Sequence, residues 1–396
     1  KVISEAQKKY NLPEFDLIVC DEAHRTTGVT LEGQDESNFV RIHNQDYIAG
    51  KRRLYMTATP RIYGDGVQAT AREVNAALCS MDDPSLYGET LFTRNFSWAV
   101  QQGLLTDYKV IVLAVDEAAV SASVQARLSD ENNELKLDDA TKIIGCYRAL
   151  TKADLAADVA GDTSAMRRAL AFTRDIKSSK LFRNEFARVA EEWRDYVAAE
   201  NPETPIPPLT CQVEHVDGTF NATARGQRLS WLKENTGDDD LCRILTNARC
   251  LSEGVDVPAL DAIMFLHPRK SQIDVVQSVG RVMRRAEGKK MGYVILPVGV
   301  PAGVPPVQAL DDNEKYKVVW QILNALRAHD DRLDATINKI EYGANPGDRI
   351  EVIAVTNTLP NRTKAATDGL GIGRGGGAGD HEPGDDFQRG REGEQL

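Results

Sequence analysis

Two adjacent carboxylates, Asp21 and Glu22, directly follow a short apolar run at residues 17–20. The run has the length and composition of one buried strand of a parallel sheet. In open α/β sheets, ligands bind just beyond the carboxyl ends of the strands. One carboxylate there suits a hard cation such as Mg²⁺, and a second can orient or deprotonate a water molecule. We therefore predict that Asp21 holds Mg²⁺, directly or through water, and that Glu22 activates an attacking water.

Ala23 and His24 complete the tetrapeptide Asp-Glu-Ala-His. This tetrapeptide resembles motif II of superfamily 2 helicases and translocases; a polar turn after a strand is the plain alternative. The resemblance implies a Walker-B type magnesium site at Asp21 and places His24 among the residues that bind the nucleotide. The activity that it implies is ATP hydrolysis coupled to movement on a nucleic acid.

Thr57 and Thr59 follow the next apolar run, residues 53–56, in the sequence Thr-Ala-Thr-Pro. This sequence resembles motif III of the same superfamily, and a threonine-rich turn before Pro60 is the alternative. Two hydroxyls at the end of a neighbouring strand can bond to the acidic motif and relay its state toward the nucleic acid. We therefore predict that Thr57 and Thr59 couple the ATP site to the nucleic-acid site.

Two motifs further along the chain resemble those that contact nucleic acid and nucleotide. A strand-like run ends in Thr173 and Arg174, which resembles motif IV and implies contact with the nucleic-acid backbone, although each residue taken singly fits a plain strand end equally well. Residues 247–258 resemble motif V. Within them, Gly254 would let the backbone approach a ligand closely, and Asp256 could accept hydrogen bonds from the ribose or orient a neighbouring arginine.

The run at residues 277–285 resembles motif VI, Gln-x-x-Gly-Arg-x-x-Arg. Arg281 and Arg284 are three residues apart, so we expect them on one face of a helix, from which both could reach a γ-phosphate presented by the other domain. Arginines placed there neutralise the charge that develops on the transferred phosphoryl group. Gln277 could position the water or contact the phosphate. A solvated basic helix end is the alternative interpretation.

The composition limits the class of protein. The length of 396 residues suggests two or three domains, and 42% hydrophobic and 27% charged residues are typical of a chain with sizeable cores. A net charge of −11 argues against a generally basic nucleic-acid coat but permits a local cleft that grips phosphates. The six cysteines show no Cys-x-x-Cys spacing, so we predict reduced core thiols in a cytoplasmic protein, without zinc or disulfides. No membrane-length apolar run or signal peptide is visible, and no membrane partner is expected.

The alternation of apolar strand-like runs with helical segments predicts an α/β fold, and the resemblance implies two RecA-like domains with parallel sheets flanked by helices. We predict four segments. Residues 1–107 are the C-terminal part of the first RecA-like domain, with motifs II and III, and residues 108–300 are the second RecA-like or helicase C-terminal domain, with motifs IV, V and VI. Residues 301–342 are a linker and helical extension with one amphipathic helix at 313–331. Residues 343–396 are a low-complexity, disordered tail, interrupted by a short apolar patch at 350–355.

The match extends from about residue 10 to about residue 300 and is most similar to the helicase portion of bacterial restriction enzymes. Within those, it resembles single-polypeptide Type ISP restriction-modification proteins and related phage-defence helicases. Such proteins are ATP-driven translocases on double-stranded DNA. The resemblance therefore implies ATP and Mg²⁺ as cofactors, DNA as partner, and nuclease and methyltransferase regions elsewhere in the full-length protein.

A phosphate-binding loop, Gly-x-x-x-x-Gly-Lys-Ser/Thr, is expected before motif II, and the sequence contains none. Its amides and lysine cradle the β- and γ-phosphates, so we expect this chain alone to bind ATP weakly and to be inactive. Because the chain begins in a helix-like run without an initiator methionine, we interpret the absence as truncation. Three alternatives stay open: strand unwinding instead of translocation, a non-hydrolysing nucleic-acid-binding or regulatory module, and a metal-dependent nuclease built on Asp21 and Glu22, for which no further acidic and lysine cluster is found nearby.

Overall fold

The computed structural model describes most of the chain. The described residues are 2–31, 37–74, 76–130, 134–152, 164–200, 202, 206–248, 257, 259–267, 271–300, 314–341 and 349–355. They divide into two compact units, one up to Thr93 and one from Arg94 onward. Phe96 and Val100 pack against the core of the second unit, so the segment before the first long strand belongs to that unit. The four domain limits given above stay predictions.

The first unit contains short strands and helices around one parallel strand pair. Strands β1 and β3 are parallel neighbours, with Ile18 opposite Arg53 and Cys20 opposite Tyr55. A Cβ at Gly50 would overlap the side chain of Ile18, so a larger residue there would require that side chain of β1 to move. Strands β2 and β4 form an antiparallel pair. The elements are α1 (Val2–Tyr10), β1 (Ile18–Cys20), β2 (Gly28–Thr30), β3 (Arg53–Tyr55), α2 (Asp65–Glu73), β4 (Ala77–Cys79) and α3 (Pro84–Tyr87).

The described part of the second unit contains a seven-stranded sheet in which all pairs are parallel. Its strands are β5 (Asp107–Asp116), β6 (Arg168–Phe172), β7 (Thr210–Val216), β8 (Leu241–Asn247), β9 (Ala262–Phe265), β10 (Met291–Val300) and β11 (Ile350–Val355), in the spatial order β11-β5-β10-β9-β6-β8-β7. The helices are α4 (Phe96–Gln101), α5 (Glu117–Ser123), α6 (Gln125–Leu128), α7 (Leu137–Thr151), α8 (Ile176–Glu200), α9 (Ala222–Lys233), α10 (Gln272–Val282), α11 (Glu314–Arg327) and α12 (Asp331–Glu341).

Helices cover both faces of this sheet. Along β5, Val110 and Val112 face a core that α10, α11 and α12 complete, whereas Ile111 and Leu113 face a second core that α7 and α8 complete. Successive side chains of a strand point to opposite faces, so a strand buried on both faces becomes a continuous apolar run. The predicted α/β class with a parallel sheet and flanking helices is thereby confirmed.

The C-terminal segment differs from the prediction. Residues 350–355, expected only as an apolar patch within a disordered tail, form β11, the edge strand beside β5. Two ion pairs fix this register: Lys109, buried, pairs with Glu351 at 2.5 Å, and Arg349 places both terminal nitrogens 3.0 Å from the carboxylate of Asp107. These contacts join residues more than 200 positions apart, so no local pattern reveals them.

The helix predicted at residues 313–331 corresponds to α11, which already ends at Arg327, and a further helix, α12, begins where the predicted helix was expected to end. The break falls at Asp330, whose side chain is fully buried and accepts hydrogen bonds from the backbone N–H and the Nε of Arg332, both at 3.0 Å. Arg332 also reaches the carboxylate of Asp107 at 3.2 Å. The buried aspartate therefore fixes the start of α12, and its arginine partner anchors α12 to the first residue of β5.

Five described cysteines, at positions 20, 79, 146, 211 and 242, carry free thiols. In the described ranges, no cluster of three or more metal-ligating side chains is present. None of the helices that the structure describes is both long and apolar enough to cross a membrane.

A buried hydrogen-bond chain joins α8 to the carboxyl end of β7. Ser179 Oγ lies 2.7 Å from His215 Nδ1, and His215 Nε2 lies 2.8 Å from Asp217 Oδ2. The order Ser-His-Asp is that of a hydrolytic triad, but Ser179 is fully buried, so no substrate can reach it. Asp217 also accepts hydrogen bonds from the backbone and hydroxyl of Thr219. Burial would raise the pKa of Asp217, but the bonds from Thr219 and His215 outweigh it and lower the pKa to about 2.

Replacing Asp217 by Asn in the full-length protein is expected to lower the free energy of unfolding by about 1–3 kcal/mol, because buried donors lose a charged acceptor. The carboxylate's contribution is fully present above its unfolded pKa of about 3.9 and is lost as the pH falls through its folded value, so the variant and wild type should converge in acid. Denaturant unfolding at a series of pH values measures this. The control Asp238→Asn alters an exposed turn carboxylate of the same unit. If Asp217→Asn and Asp238→Asn lose the same free energy of unfolding, the buried hydrogen bonds of Asp217 do not stabilise the fold as described.

Candidate active site

The acidic motif and the threonine motif lie side by side in the first unit. Beyond strands β1 and β3, hydrogen bonds continue from the Met56 N–H to the Cys20 carbonyl and from the Ala23 N–H to the Met56 carbonyl, both at 2.9 Å. The two strands are parallel, so their carboxyl ends meet at one edge. The segments that follow β1 and β3 are thus held together as the spacing of the motifs predicts.

Asp21 and Glu22 occupy a tight turn at this edge. Asp21 Oδ1 accepts a hydrogen bond from the Glu22 N–H at 2.9 Å, and the side chain of Asp21 is exposed. Glu22 has φ 51° and ψ 45°, a left-handed conformation that is uncommon for a residue other than glycine. Such conformations cost about 1–3 kcal/mol and concentrate at functional sites. The turn therefore directs two adjacent carboxylates away from the strand pair.

The donor chemistry at Asp21 fits Mg²⁺. Mg²⁺ prefers hard oxygen ligands and keeps several waters, so one or two carboxylates suffice on the protein side. The exposed carboxylate of Asp21, with one oxygen fixed by the Glu22 N–H, is such a ligand. A structural metal site needs a cluster of three or more protein ligands, whereas Mg²⁺ at Asp21 does not.

His24 connects the acidic motif to the threonine motif. Its Nδ1 lies 3.3 Å from Glu22 Oε2, 3.1 Å from Thr57 Oγ1 and 3.5 Å from Thr59 Oγ1. The His24 side chain is buried, whereas that of Glu22 is about two-fifths exposed, at 39%. The Nδ1 of His24 therefore contacts the carboxylate and both threonine hydroxyls, so that one imidazole nitrogen links the two motifs.

Three aromatic side chains support this turn and have no motif signature. His43 Nδ1 lies 2.8 Å from the Tyr55 hydroxyl, and His43 Nε2 lies 3.1 Å from the carbonyl oxygen of Thr26, in the turn that follows Glu22. Tyr87 packs against both rings, with centroids 4.8 Å away, and its hydroxyl lies 3.0 Å from the Thr26 hydroxyl. Burial raises the pKa of Tyr87 to about 12. The only sequence signal was Tyr55 at the end of a strand-like run.

In the second unit, Thr173 and Arg174 directly follow β6, at the carboxyl edge of the sheet. Thr173 is buried, and its hydroxyl is 3.1 Å from the Asn247 carbonyl and 3.0 Å from the Asp175 carbonyl, to which it donates. Its hydroxyl therefore serves the fold. Arg174 is exposed, with its Nε 3.1 Å from Asp175 Oδ2 and 3.2 Å from Ser178 Oγ. Of the two, Arg174 has the more accessible side chain, and their contact with nucleic acid stays a prediction.

Gln277, Arg281 and Arg284 lie on or just after α10. Gln277 and Arg281 are four residues apart within the helix, so they share a face. The helix ends at Val282, and Arg284 lies in the turn beyond, with its N–H bonded to the Arg281 carbonyl at 3.1 Å. Arg284 therefore lies just outside the helix, and the expectation that both arginines share one face stays a prediction. Arg281 is buried at 8% exposure, and Arg284 is partly exposed.

The predicted residues of the second unit occupy opposite edges of its sheet. Arg174 follows the carboxyl end of β6, whereas the Met283 carbonyl accepts a hydrogen bond at 2.7 Å from the N–H of Thr106, which precedes β5. The 11 residues of α10 span about 16 Å between these edges. Predicted nucleic-acid contacts and phosphate-contacting arginines are thus separated within the same unit. Gly254 and Asp256 lie outside the described residues, and their roles stay predictions.

Two family models match the chain. The model described as "Helicase conserved C-terminal domain" matches residues 162–286, and the model described as "Type III restriction enzyme, res subunit" matches residues 2–62. The second range contains the acidic and threonine motifs, and the first contains motifs IV, V and VI. The two matches therefore cover both sets of predicted site residues.

The solved structure of the ATP-dependent Type ISP restriction-modification enzyme LlaBIII bound to DNA is similar to this chain, with 41% identity and a TM-score of 0.73. The match covers 90% of this chain and 22% of that one. A "Probable helicase" of African swine fever virus is 25% identical over 287 residues, which are 72% of this chain and 26% of the viral protein. This chain therefore spans about a quarter of the length of each relative.

Proposed function

Because the chain belongs to the superfamily 2 helicases and is similar to the helicase part of a Type ISP restriction enzyme, we propose that it is an ATP-driven motor that moves on double-stranded DNA. The observation that carries the proposal is the contact of one histidine, His24, with Glu22 on one side and with Thr57 and Thr59 on the other. His24 would thereby connect Glu22, the proposed base, to the threonine motif that would transmit the state of the ATP site to the rest of the protein.

In the proposed reaction, Glu22 accepts a proton from the water that attacks the γ-phosphorus, while the bond from that phosphorus to the bridging oxygen breaks and ADP leaves; His24 contacts the Glu22 carboxylate through its Nδ1. Asp21 would hold Mg²⁺, which neutralises phosphate charge when bound. Arg281 and Arg284 bring positive charge to the transferred phosphoryl group. Gln277, on the Arg281 face of α10, would position the water or a phosphate oxygen. Thr57 and Thr59 then pass the altered hydrogen bonding of His24 onward.

The sequence contains no phosphate-binding loop, so we propose that this chain by itself binds ATP weakly and hydrolyses it slowly. In the full-length protein, the proposed partners are double-stranded DNA and nuclease and methyltransferase regions, by similarity to the Type ISP enzyme. The proposed location is the cytoplasm, where the free thiols of the described cysteines would stay reduced.

Triplex displacement separates movement along a duplex from strand separation. We expect the full-length protein, with ATP and Mg²⁺, to displace a third strand from duplex DNA while leaving a strand-displacement substrate intact. Movement along a duplex strips a bound third strand without opening base pairs. Wild-type protein without ATP is the control. Strand displacement without triplex displacement would support an unwinding helicase and contradict duplex translocation.

A second candidate is a non-hydrolysing nucleic-acid-binding or regulatory module, which the missing phosphate-binding loop favours. It predicts DNA binding without ATP turnover by the full-length protein. Steady-state ATP hydrolysis with and without DNA discriminates between the two functions. Turnover that rises on addition of DNA supports the motor, and its absence supports the module.

A further inference from the structure

A lysine from outside the helix closes the carboxyl end of α10. The Nζ of Lys289 donates hydrogen bonds to the carbonyl oxygens of Val282, at 2.6 Å, and of Arg284, at 3.0 Å. The last carbonyls of a helix lack partners inside it, and the helix dipole also favours a cation at this end. Lys289 therefore bridges the last helical residue and the second arginine of the motif.

The backbone around this contact leaves little freedom. Strand β10 begins so close to the end of α10 that a Cβ at Gly292 would overlap the carbonyl oxygen of Val282. The intervening loop, residues 283–290, is therefore folded back over the helix end. The Lys289 N–H bonds to the Ala286 carbonyl at 3.2 Å, which fixes the start of the lysine side chain.

Two further bonds anchor the same segment from the side of β5. The Met283 carbonyl accepts from the Thr106 N–H at 2.7 Å, and the guanidinium of Arg285 donates to the Gly103 carbonyl. Arg284, between these two residues, lies beyond the end of α10, and its N–H bonds three residues back to the Arg281 carbonyl at 3.1 Å. Its carbonyl is the one that Lys289 holds.

Within the part of the chain that the structure describes, the carboxylate of Asp261 acts on Lys289. Asp261, buried ahead of β9, faces the lysine, and its Oδ2 accepts hydrogen bonds from the N–H groups of Arg167, at 2.8 Å, and Arg168, at 3.0 Å. Lys152 also acts on Asp261. Burial lowers the pKa of Lys289 to about 8, an effect that Asp261 opposes. The Lys289 ammonium is therefore charged at neutral pH, but its pKa lies only slightly above that pH.

We propose that Lys289 is a positioning residue for Arg284: by holding the carbonyls on both sides of the helix end, it sets the direction in which the arginine side chain leaves the backbone. This inference rests on the proposed ATPase function. It assigns to a loop residue outside every motif a role in the reaction, exerted through the backbone of Arg284.

The test compares Lys289→Met and Lys289→Arg in the full-length protein. Methionine keeps an unbranched stem without the charge, and arginine keeps a charge that does not titrate. We expect Lys289→Met to lower kcat for ATP about 10- to 100-fold with KM changed less than about twofold, since a misplacement of 1 Å can cost about 100-fold. Lys289→Arg should restore most of the rate. The neighbouring exposed lysine supplies the control Lys290→Met, which should match the wild type.

The pH profile distinguishes positioning from simple stabilisation. In the wild type, kcat should fall as the pH rises through about 8, because the ammonium deprotonates and its bonds to the two carbonyls weaken. Over the same range the contribution of this group to folding stability rises, because between the folded pKa and the unfolded pKa of about 10.4 the unfolded chain binds more protons. Unfolding would lower kcat and folding stability together, so a kcat that falls while the fold stays stable cannot result from unfolding. In Lys289→Arg this alkaline fall should be absent.

Two outcomes would overturn the proposal. One is a Lys289→Met variant with the wild-type kcat and pH profile. The other is a loss of kcat that accompanies an equal loss of thermal stability and that arginine does not restore. The wild-type and Glu22→Gln rates in the same assay keep the two questions apart. Absence of ATP turnover by the wild type with DNA present rejects the proposed function, whereas a wild-type rate that Glu22→Gln abolishes and Lys289→Met leaves unchanged rejects only the role of Lys289.

Discussion

Replacing Glu22 by Gln in the full-length protein is expected to lower the rate of ATP hydrolysis by about 10²–10⁴-fold, the usual contribution of a positioned general base. Glutamine has nearly the same shape as glutamate but cannot take a proton from water. It can still accept a hydrogen bond from His24, 3.3 Å away in the wild type, so the turn should keep its structure. Steady-state phosphate release with DNA present measures the rate.

Nucleotide binding should survive this substitution. Mg²⁺ would be held by Asp21, and the phosphates are contacted by other groups, so KM or the affinity for a non-hydrolysable ATP analogue should change little. Glu14→Gln supplies a matched control, since Glu14 is an exposed carboxylate of the same unit. If Glu22→Gln hydrolyses ATP at the wild-type rate, Glu22 is not the base.

Replacing Arg281 or Arg284 by Gln is expected to lower kcat by about 10³–10⁵-fold, the range for arginines that stabilise a transferred phosphoryl group. The effect should appear in kcat, because the negative charge that the guanidinium balances is greatest in the transition state. The same phosphate-release assay applies. The salt dependence of DNA binding in the absence of nucleotide should stay as in the wild type, because neither arginine is assigned to the DNA backbone.

The burial of Arg281 requires a check on folding, since its side chain is only 8% exposed. Arg284 lies beyond the helix and is partly exposed, so its substitution is less disruptive to the core and carries the test if Arg281→Gln melts at a lower temperature. Arg188→Gln is the control, because it changes an exposed arginine on α8 of the same unit. Comparable rates in all three variants would show that charge at this helix end is unimportant to hydrolysis.

Most of the large sheet could be predicted from the sequence because its strands are buried on both faces. Residues 109–115 form an almost continuous apolar run, and β5 covers Asp107–Asp116, with every residue from Tyr108 to Val115 buried. A fully buried strand needs apolar residues at consecutive positions. Because that requirement is local, a short stretch of sequence is enough to predict the strand.

Strand β11 and helix α12, which the sequence pattern did not reveal, depend on contacts between residues that are distant in the sequence. Asp107 is bound by Arg332 and Arg349, more than 220 positions away, and that cluster fixes both the start of α12 and the register of β11. No window of sequence contains both partners. Likewise, Asp330 looks like an ordinary polar residue within a helical pattern, and only its complete burial beside Arg332 shows that it fixes the start of α12.

The candidate site shows the same division between local and distant information. The adjacency of the two first-unit motifs follows from each motif standing at a strand end, and the parallel pairing of β1 with β3 supplies it. The end of α10 before Arg284 could not be read from the pattern, because Lys289 and Gly292 impose it from the following loop and strand. His43 likewise had no signal, since its partners are a strand tyrosine and a backbone carbonyl.

The edge position of β11 has a practical consequence for how this protein is handled. Its six residues cover the backbone of β5 from Val110 to Val115, a stretch that is otherwise apolar and continuous. A shortened version that stopped after α12 would leave that backbone as an open template for the strands of other molecules. Expression boundaries chosen at the low-complexity glycines, rather than at the last obvious helix, would keep β5 capped and the preparation monodisperse.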